Sequence, residues 1–134
     1  GFKSTLSGFQ PFQFCEDIEK KDSIQKDLHE SMLTRKPGRT VYVIHSPPNQ
    51  TKLDQRYDDC HVGSLAVKLF IEKYQPYLTL HGHIHETVER SGEYKQKIGK
   101  TLCLTSGNDD LSFELAVLVF DLYDPWKVTR EIIL

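Results

Sequence analysis

The chain has 134 residues and a mass of 15.5 kDa, with 38% apolar and 27% charged residues, a balance suited to one globular domain with an ordinary core. With 17 basic against 19 acidic side chains, the net charge is -2 and the pI near 6.3, which excludes a broad polyanion-binding surface built from excess lysine and arginine. No run of about 18 apolar residues is present to span a bilayer, and Gly1-Phe2-Lys3-Ser4 does not open a secretory signal. Cys15, Cys60 and Cys103 are odd in number and lack CxxC spacing, so they predict reduced thiols of a cytoplasmic protein. The chain starts at Gly1 and its only methionine is the internal Met32, which predicts a piece of something longer.

In chain order, residues 1–21 hold scattered aromatics (Phe2, Phe9, Phe12, Phe14) with no sustained period and predict an irregular segment. From Asp22 a helix is expected: Ile24, Leu28 and Met32 recur every four residues, Asp22 with Gln25 forms a capping-box-like start, and Pro37-Gly38 ends it. Val41 to Ile44 is a continuous run of β-formers, expected as a strand buried on both faces, with His45 at its carboxyl end. Residues 49–61 are polar and loop-like. Ser64 is expected to cap a second helix whose apolar stripe runs through Leu65, Ala66, Leu69, Phe70 and Tyr74 until Pro76. Tyr77 to Leu80 then predicts a strand that runs directly into His81-Gly82-His83-Ile84-His85. The remainder predicts a β meander: turns at Ser91-Gly92, Gly99-Lys100 and Asp124-Pro125, a buried strand over 102–104, and strands over 116–122 and 128–134. The order of elements indicates an α/β fold of mixed α+β character, with helices covering a sheet.

Histidines at i and i+2 on an extended segment face one side, with roughly 6–7 Å between α-carbons, so His83 and His85 can converge on one metal or serve two neighbouring ions. Two-metal hydrolytic sites hold their ions about 3.5–4 Å apart, which suits that spacing. A Gly-His-x-His pattern arises by chance on the order of 0.02 times in a chain of this composition, so the motif is informative. His45 alone would be weak; delivered from a neighbouring strand end it strengthens the site, because ligands collect at the carboxyl ends of strands in α/β sheets. For His81 two placements are open, facing the site or packing at the strand end, and packing is the first expectation.

Strand-His45-Ser46-Pro47-Pro48, a helix, a strand and Gly82-His83-Ile84-His85 resemble the C-terminal half of a calcineurin-like metallophosphoesterase. The stretches FIEKYQPYLTLHGHIHET (70–87), HVGS (61–64) and GKTLCLTSGN (99–108) are similar to uncharacterised metallophosphoesterases of that superfamily. The resemblance implies a β-sandwich flanked by helices, here without its N-terminal half, and a centre of two divalent ions (manganese, iron or zinc). By motif position His45 and His83 would bind one ion and His85 the other, and a bridging hydroxide would attack phosphorus. In related sequences the loop carrying Asp54, His61 and Ser64 lies near the active site, which makes these three weak substrate-contact candidates, with helix capping the first expectation for Ser64.

The family's Asp-x-His, Gly-Asp-x-x-Asp and Gly-Asn-His motifs should precede His45, and the 44 residues there do not contain the set. Asp27-Leu28-His29 has the first spacing but falls on the amphipathic helix, where the two side chains diverge. Gly107-Asn108-Asp109-Asp110 imitates the third motif in the wrong order and with Asp in place of His. Asp58-Asp59-Cys60-His61 reads as a solvated loop. The expectation is therefore a phosphomonoesterase or phosphodiesterase in the intact protein, with this chain inactive alone and holding at most one ion. Its partners would be the missing half and a phosphoester, with homodimerisation through exposed strand edges and no membrane. Two alternatives stand beside it: a scaffold of the same fold whose upstream ligands have decayed, and a mature product with a mononuclear site.

Overall fold

The computed structural model describes residues 24–109 and 111–134; the predicted irregular segment, the Asp22 cap and Cys15 lie outside them. Helix α1 (Ile24–Leu33) buries Leu28 and ends before a short 3-10 turn, Pro37–Arg39. Strand β1 (Val41–Val43), helix α2 (Leu65–Tyr74) and strand β2 (Leu78–His81) follow, and β1 pairs in parallel with β2. After the short helix α3 (Thr87–Ser91), β3 (Lys95–Ile98) and β4 (Thr101–Thr105) form a hairpin whose second strand pairs in parallel with β2. The sheet order is thus β1-β2-β4-β3. The predicted Gly99-Lys100 turn joins β3 to β4, with Gly99 in the left-handed region that glycine adopts without penalty.

β4 is buried along its whole length, and alternation distributes its side chains to two cores. Cys103 faces the helices with Leu28, Tyr42, Val67, Phe70 and Ile71. Leu102 and Leu104 face the other way with Leu78 and Val128. Val128 belongs to β6 (Asp124–Ile132), which pairs with β5 (Ala116–Asp121) as a separate two-stranded sheet. The arrangement is three layers, helices, mixed sheet and hairpin, a mixed α/β fold as expected. Among the described residues no helix is long and apolar enough to cross a membrane.

Several local expectations are corrected. Strand β1 is not buried on both faces: it is the sheet edge, and Val43 is 60% exposed while Tyr42 is buried. On α2 the inward face is Ala66, Val67, Phe70 and Ile71, which leaves Leu69 of the predicted stripe 54% exposed. Ser64 caps this helix as expected, its hydroxyl accepting the Val67 N–H at 3.1 Å. Ser91-Gly92 is a helix end, not a hairpin turn: Gly92 takes φ 73° and donates its N–H to the Val88 carbonyl at 2.9 Å. The last hairpin turns at 122–123, and Pro125 sits inside β6, tolerated near a strand end whose ladder does not need its N–H. The expected single meander is divided, because β3 and β4 complete the parallel sheet while β5 and β6 cover it.

The two faces of α2 should respond differently to truncation. Ile71 is fully buried, so Ile71→Ala should cost about 2–5 kcal/mol, whereas Leu69→Ala should stay within about 0.5 kcal/mol, as read from urea unfolding midpoints at a common slope.

Candidate functional site

Parallel pairing brings the carboxyl ends of β1 and β2 side by side, and the backbone ladder continues past both strands. The Ile44 N–H donates to the Leu80 carbonyl and the Gly82 N–H to the His45 carbonyl, each at 2.9 Å. Gly82 suits that approach, since a Cβ there would lie 3.3 Å from His45 Nδ1 and the ring would have to give way by a few tenths of an ångström. The chain then departs from the extended course expected of the His83-Ile84-His85 segment. His83 adopts φ 69°, the Ile84 N–H folds back to the Gly82 carbonyl at 2.8 Å, and Ile84 is buried. Left-handed backbone at a residue other than glycine costs about 1–3 kcal/mol.

This turn aims His83 at His45. Their Nδ1 and Nε2 atoms stand 3.1 Å apart, with the ring planes inclined at 75°. Burial, then the neighbouring His45 and His85 rings, lowers the His83 pKa, with Glu86 opposing. His85 stands exposed beyond the pair.

His81 fixes the platform below. Its Nδ1 lies 2.9 Å from the Ile44 carbonyl and 3.0 Å from that of Ser46, and its Nε2 lies 2.8 Å from the Thr79 hydroxyl. Two carbonyls can only accept, so Nδ1 carries the proton and the Thr79 hydroxyl donates to Nε2. His81 therefore ties β1 to β2 as a neutral ring. Its pKa is pushed down to about 4 by burial, against the partial support of the two carbonyls.

The loop over 49–63 connects the His45 segment to α2 and is organised by Asp54. This carboxylate is fully buried and accepts backbone N–H groups from Gln50, Thr51 and Gly63 at 2.8–2.9 Å, together with His61 Nδ1 at 2.7 Å. Of the three weak substrate-contact candidates, Asp54 and Ser64 are thus enclosed and engaged in folding, and His61 alone reaches the surface. The sequence names Asp54 and His61 as separate contact candidates and does not reveal their bond to each other; the signal available is Thr51 three residues before Asp54, with Gly63 closing the loop. Asp58 and Asp59 are solvated as expected, Asp59 pairing with Arg90.

The imitating motifs carry structure instead. Asp27 and His29 lie on α1. Asn108 braces the loop after β4, its side chain bonding both the N–H and the carbonyl of Ala116 at 2.7 and 3.0 Å. Tyr57 reaches Asp109 and Glu89, and those two carboxylates hold its phenol well above the ordinary range. Beside them, Val88, Glu89, Gly107, Asp109 and Arg130 line an open cleft of about 470 Å³.

As metal donors the histidines fit in part. Two nitrogens held by one tetrahedral ion at about 2.0–2.1 Å lie about 3.3 Å apart. The His45–His83 separation of 3.1 Å meets that requirement with small ring movements. Among the described residues no group of three His, Cys, Asp or Glu side chains is gathered to complete a shell, so the predicted His45, His83 and His85 do not form one by themselves.

The His81 strap sets an acid limit on stability. The unfolded ring titrates near 6.5 and the buried one near 4, so the unfolded chain binds more protons between those values. Stability should be fully present above pH 6.5 and fall by on the order of 2–3 kcal/mol toward pH 4, measured by urea unfolding with chelator present. In His81→Gln that part of the acid slope should vanish.

No protein-family profile and no curated protein matches the chain. A solved crystal structure, 23% identical, superposes over 80% of the chain with a TM-score of 0.61, a likeness of fold. The chain spans 38% of that structure's length.

Proposed function

We propose that the intact protein is a metal-dependent phosphoester hydrolase, a phosphomonoesterase or phosphodiesterase, and that this chain contributes the histidine half of its centre. The observation that carries this reading is the approach of His45 Nε2 and His83 Nδ1 to 3.1 Å at the carboxyl ends of neighbouring parallel strands. His45 and His83 would hold one ion and His85 a second, with carboxylates supplied by another part of the protein. Bound divalent ions would polarise the phosphoryl oxygens and activate water. Imidazole ligands suit manganese, iron and zinc alike.

The chain's own residues prepare this site in stages. His81 locks the strand ends in register, Gly82 lets the backbone pass under the His45 ring, and the turn at His83 converts two separate loops into one donor pair. Edge strand β1, with Val43 exposed, suits pairing with a further strand, either from the rest of the protein or from a second copy. Cys60 and Cys103, free thiols among the described residues, support a reducing compartment, the cytoplasm. A scaffold without catalysis is the second reading, favoured by the lack of a gathered third ligand among the described residues.

Two measurements separate them. The intact protein with manganese should hydrolyse bis(4-nitrophenyl) phosphate, and His83→Ala should lower the rate more than about 100-fold, beyond the effect of residues that merely support a ligand. Absence of metal-dependent turnover across several monoesters and diesters would favour the scaffold. This chain alone should bind at most one zinc ion by titration calorimetry, and His45→Ala should abolish the heat.

A further inference from the structure

The net charge of -2 excludes a broad basic surface, yet three exposed lysines gather around one sheet edge. Strand β3 is the edge opposite β1. Its register sets Lys95 against Leu104 and Lys97 against Leu102, so both side chains share the face of the sheet that meets the β5–β6 hairpin. Two residues apart on one face, their α-carbons stand roughly 7 Å from each other. On the other face the Gln96 side chain accepts the Lys52 N–H at 3.2 Å, which brings the exposed Lys52 beside the same strand. Among the described residues none of the three lysines forms an ion pair.

Aromatic rings lie under the two β3 lysines. The Lys97 ammonium stands 5.8 Å from the centroid of the Trp126 ring, and the Lys95 ammonium 5.6 Å from that of Tyr94. The Tyr94 hydroxyl donates to the Val128 carbonyl at 3.2 Å, which fixes that ring against β6, while Trp126 remains 45% exposed. Lysines on an edge strand also guard it against pairing with another chain, a role that charge alone fulfils. The rings beneath them add flat apolar faces that guarding does not require. Through Leu104, Lys95 is registered with Leu80, the residue before His81, two strand spacings or about 10 Å away. The strip therefore starts near the carboxyl end of β2 and runs away from it along β3.

We propose that this strip, formed by Lys52, Lys95, Lys97 and the Trp126 and Tyr94 rings, binds single-stranded nucleic acid. A base laid on Trp126 displaces the Lys97 ammonium from the ring toward the adjoining phosphate, and Lys95 and Lys52 meet further phosphates along the edge. A stacked strand carries a phosphate every 3.4 Å or so, and the distance of roughly 7 Å between the two β3 lysines spans about two nucleotide steps. Every unpaired base offers a π-face, so the strip takes a strand without regard to its sequence, whereas a duplex keeps its base faces enclosed. Binding stands apart from the phosphoesterase reading; the consequence that the bound strand is the diester substrate rests on it.

The test is fluorescence anisotropy of a labelled oligothymidylate of about twenty nucleotides, titrated with the intact protein in EDTA so that no metal contributes. The logarithm of Kd should rise with the logarithm of salt concentration with a slope of about 2, as three phosphate contacts require. Lys95→Gln combined with Lys97→Gln should bring that slope below about 1, and Trp126→Leu should weaken binding about 5-fold or more at an unchanged slope. No binding at low salt, or a wild-type slope near zero, overturns the proposal whether or not the variants fold. Equal affinity for inorganic polyphosphate, undisturbed by Trp126→Leu, reduces the strip to bare charge attraction and overturns it too, as does a preference for a duplex of the same length or for phosphatidylglycerol vesicles. Turnover of bis(4-nitrophenyl) phosphate with manganese but no oligonucleotide binding overturns this proposal and leaves the phosphoesterase reading standing. Oligonucleotide binding without turnover of any ester supports the strip and defeats that reading.

Discussion

The parallel pairing of β1 with β2 is the constraint from which the rest of the architecture follows. Parallel strands require a crossover, and α2 supplies it, so the helix must cover one face of the sheet while both carboxyl ends emerge on the same edge. A single buried ring then makes that edge exact in register: His81 bonds the backbone of the β1 segment with one nitrogen and a β2 hydroxyl with the other. Beside this tie, three-residue β1 is held at the sheet edge by a short ladder and by Tyr42 packed in the core. Everything that gives the rim its chemistry, the His45–His83 pair and the loop over 49–63, is hung from those two strand ends.

A division of labour among the histidines results. His81 is neutral, enclosed and structural. His45 and His83 face each other across 3.1 Å, a distance that serves a shared proton or a shared ion. His61 is fixed at one nitrogen and open at the other. The same side chain thus meets different surroundings within one fold, and the difference lies in how many ring nitrogens the fold consumes and how far the ring is desolvated.

Much of this was legible in the sequence where a residue's chemistry leaves few choices. The Ser64 cap, the Gly99-Lys100 hairpin, the buried strand around Cys103 and the delivery of His45 and His83 to one edge are all read from residue type and spacing. Other features were not, for physical reasons. Glycine in the left-handed region serves a hairpin turn and a helix end equally, so Ser91-Gly92 was ambiguous. Leu69 exposes itself because the sheet meets a face of α2 shifted toward Val67 and Ile71, a choice made by tertiary packing. The turn at His83 runs against backbone preference and has no local signature. The Asp54–His61 bond joins residues seven apart in an irregular loop, where neither period applies.

The left-handed backbone at His83 sets thermal robustness and chemistry against each other at one position. Glycine would occupy that φ with less strain than imidazole does, and would leave the fold's layers untouched. A screen that rewards only resistance to heat or denaturant should therefore drift toward losing this histidine, and with it one half of the pair. Stabilising the protein while keeping the pair means working elsewhere, for example in the two-stranded sheet, where Val119 and Ile132 remain substantially exposed.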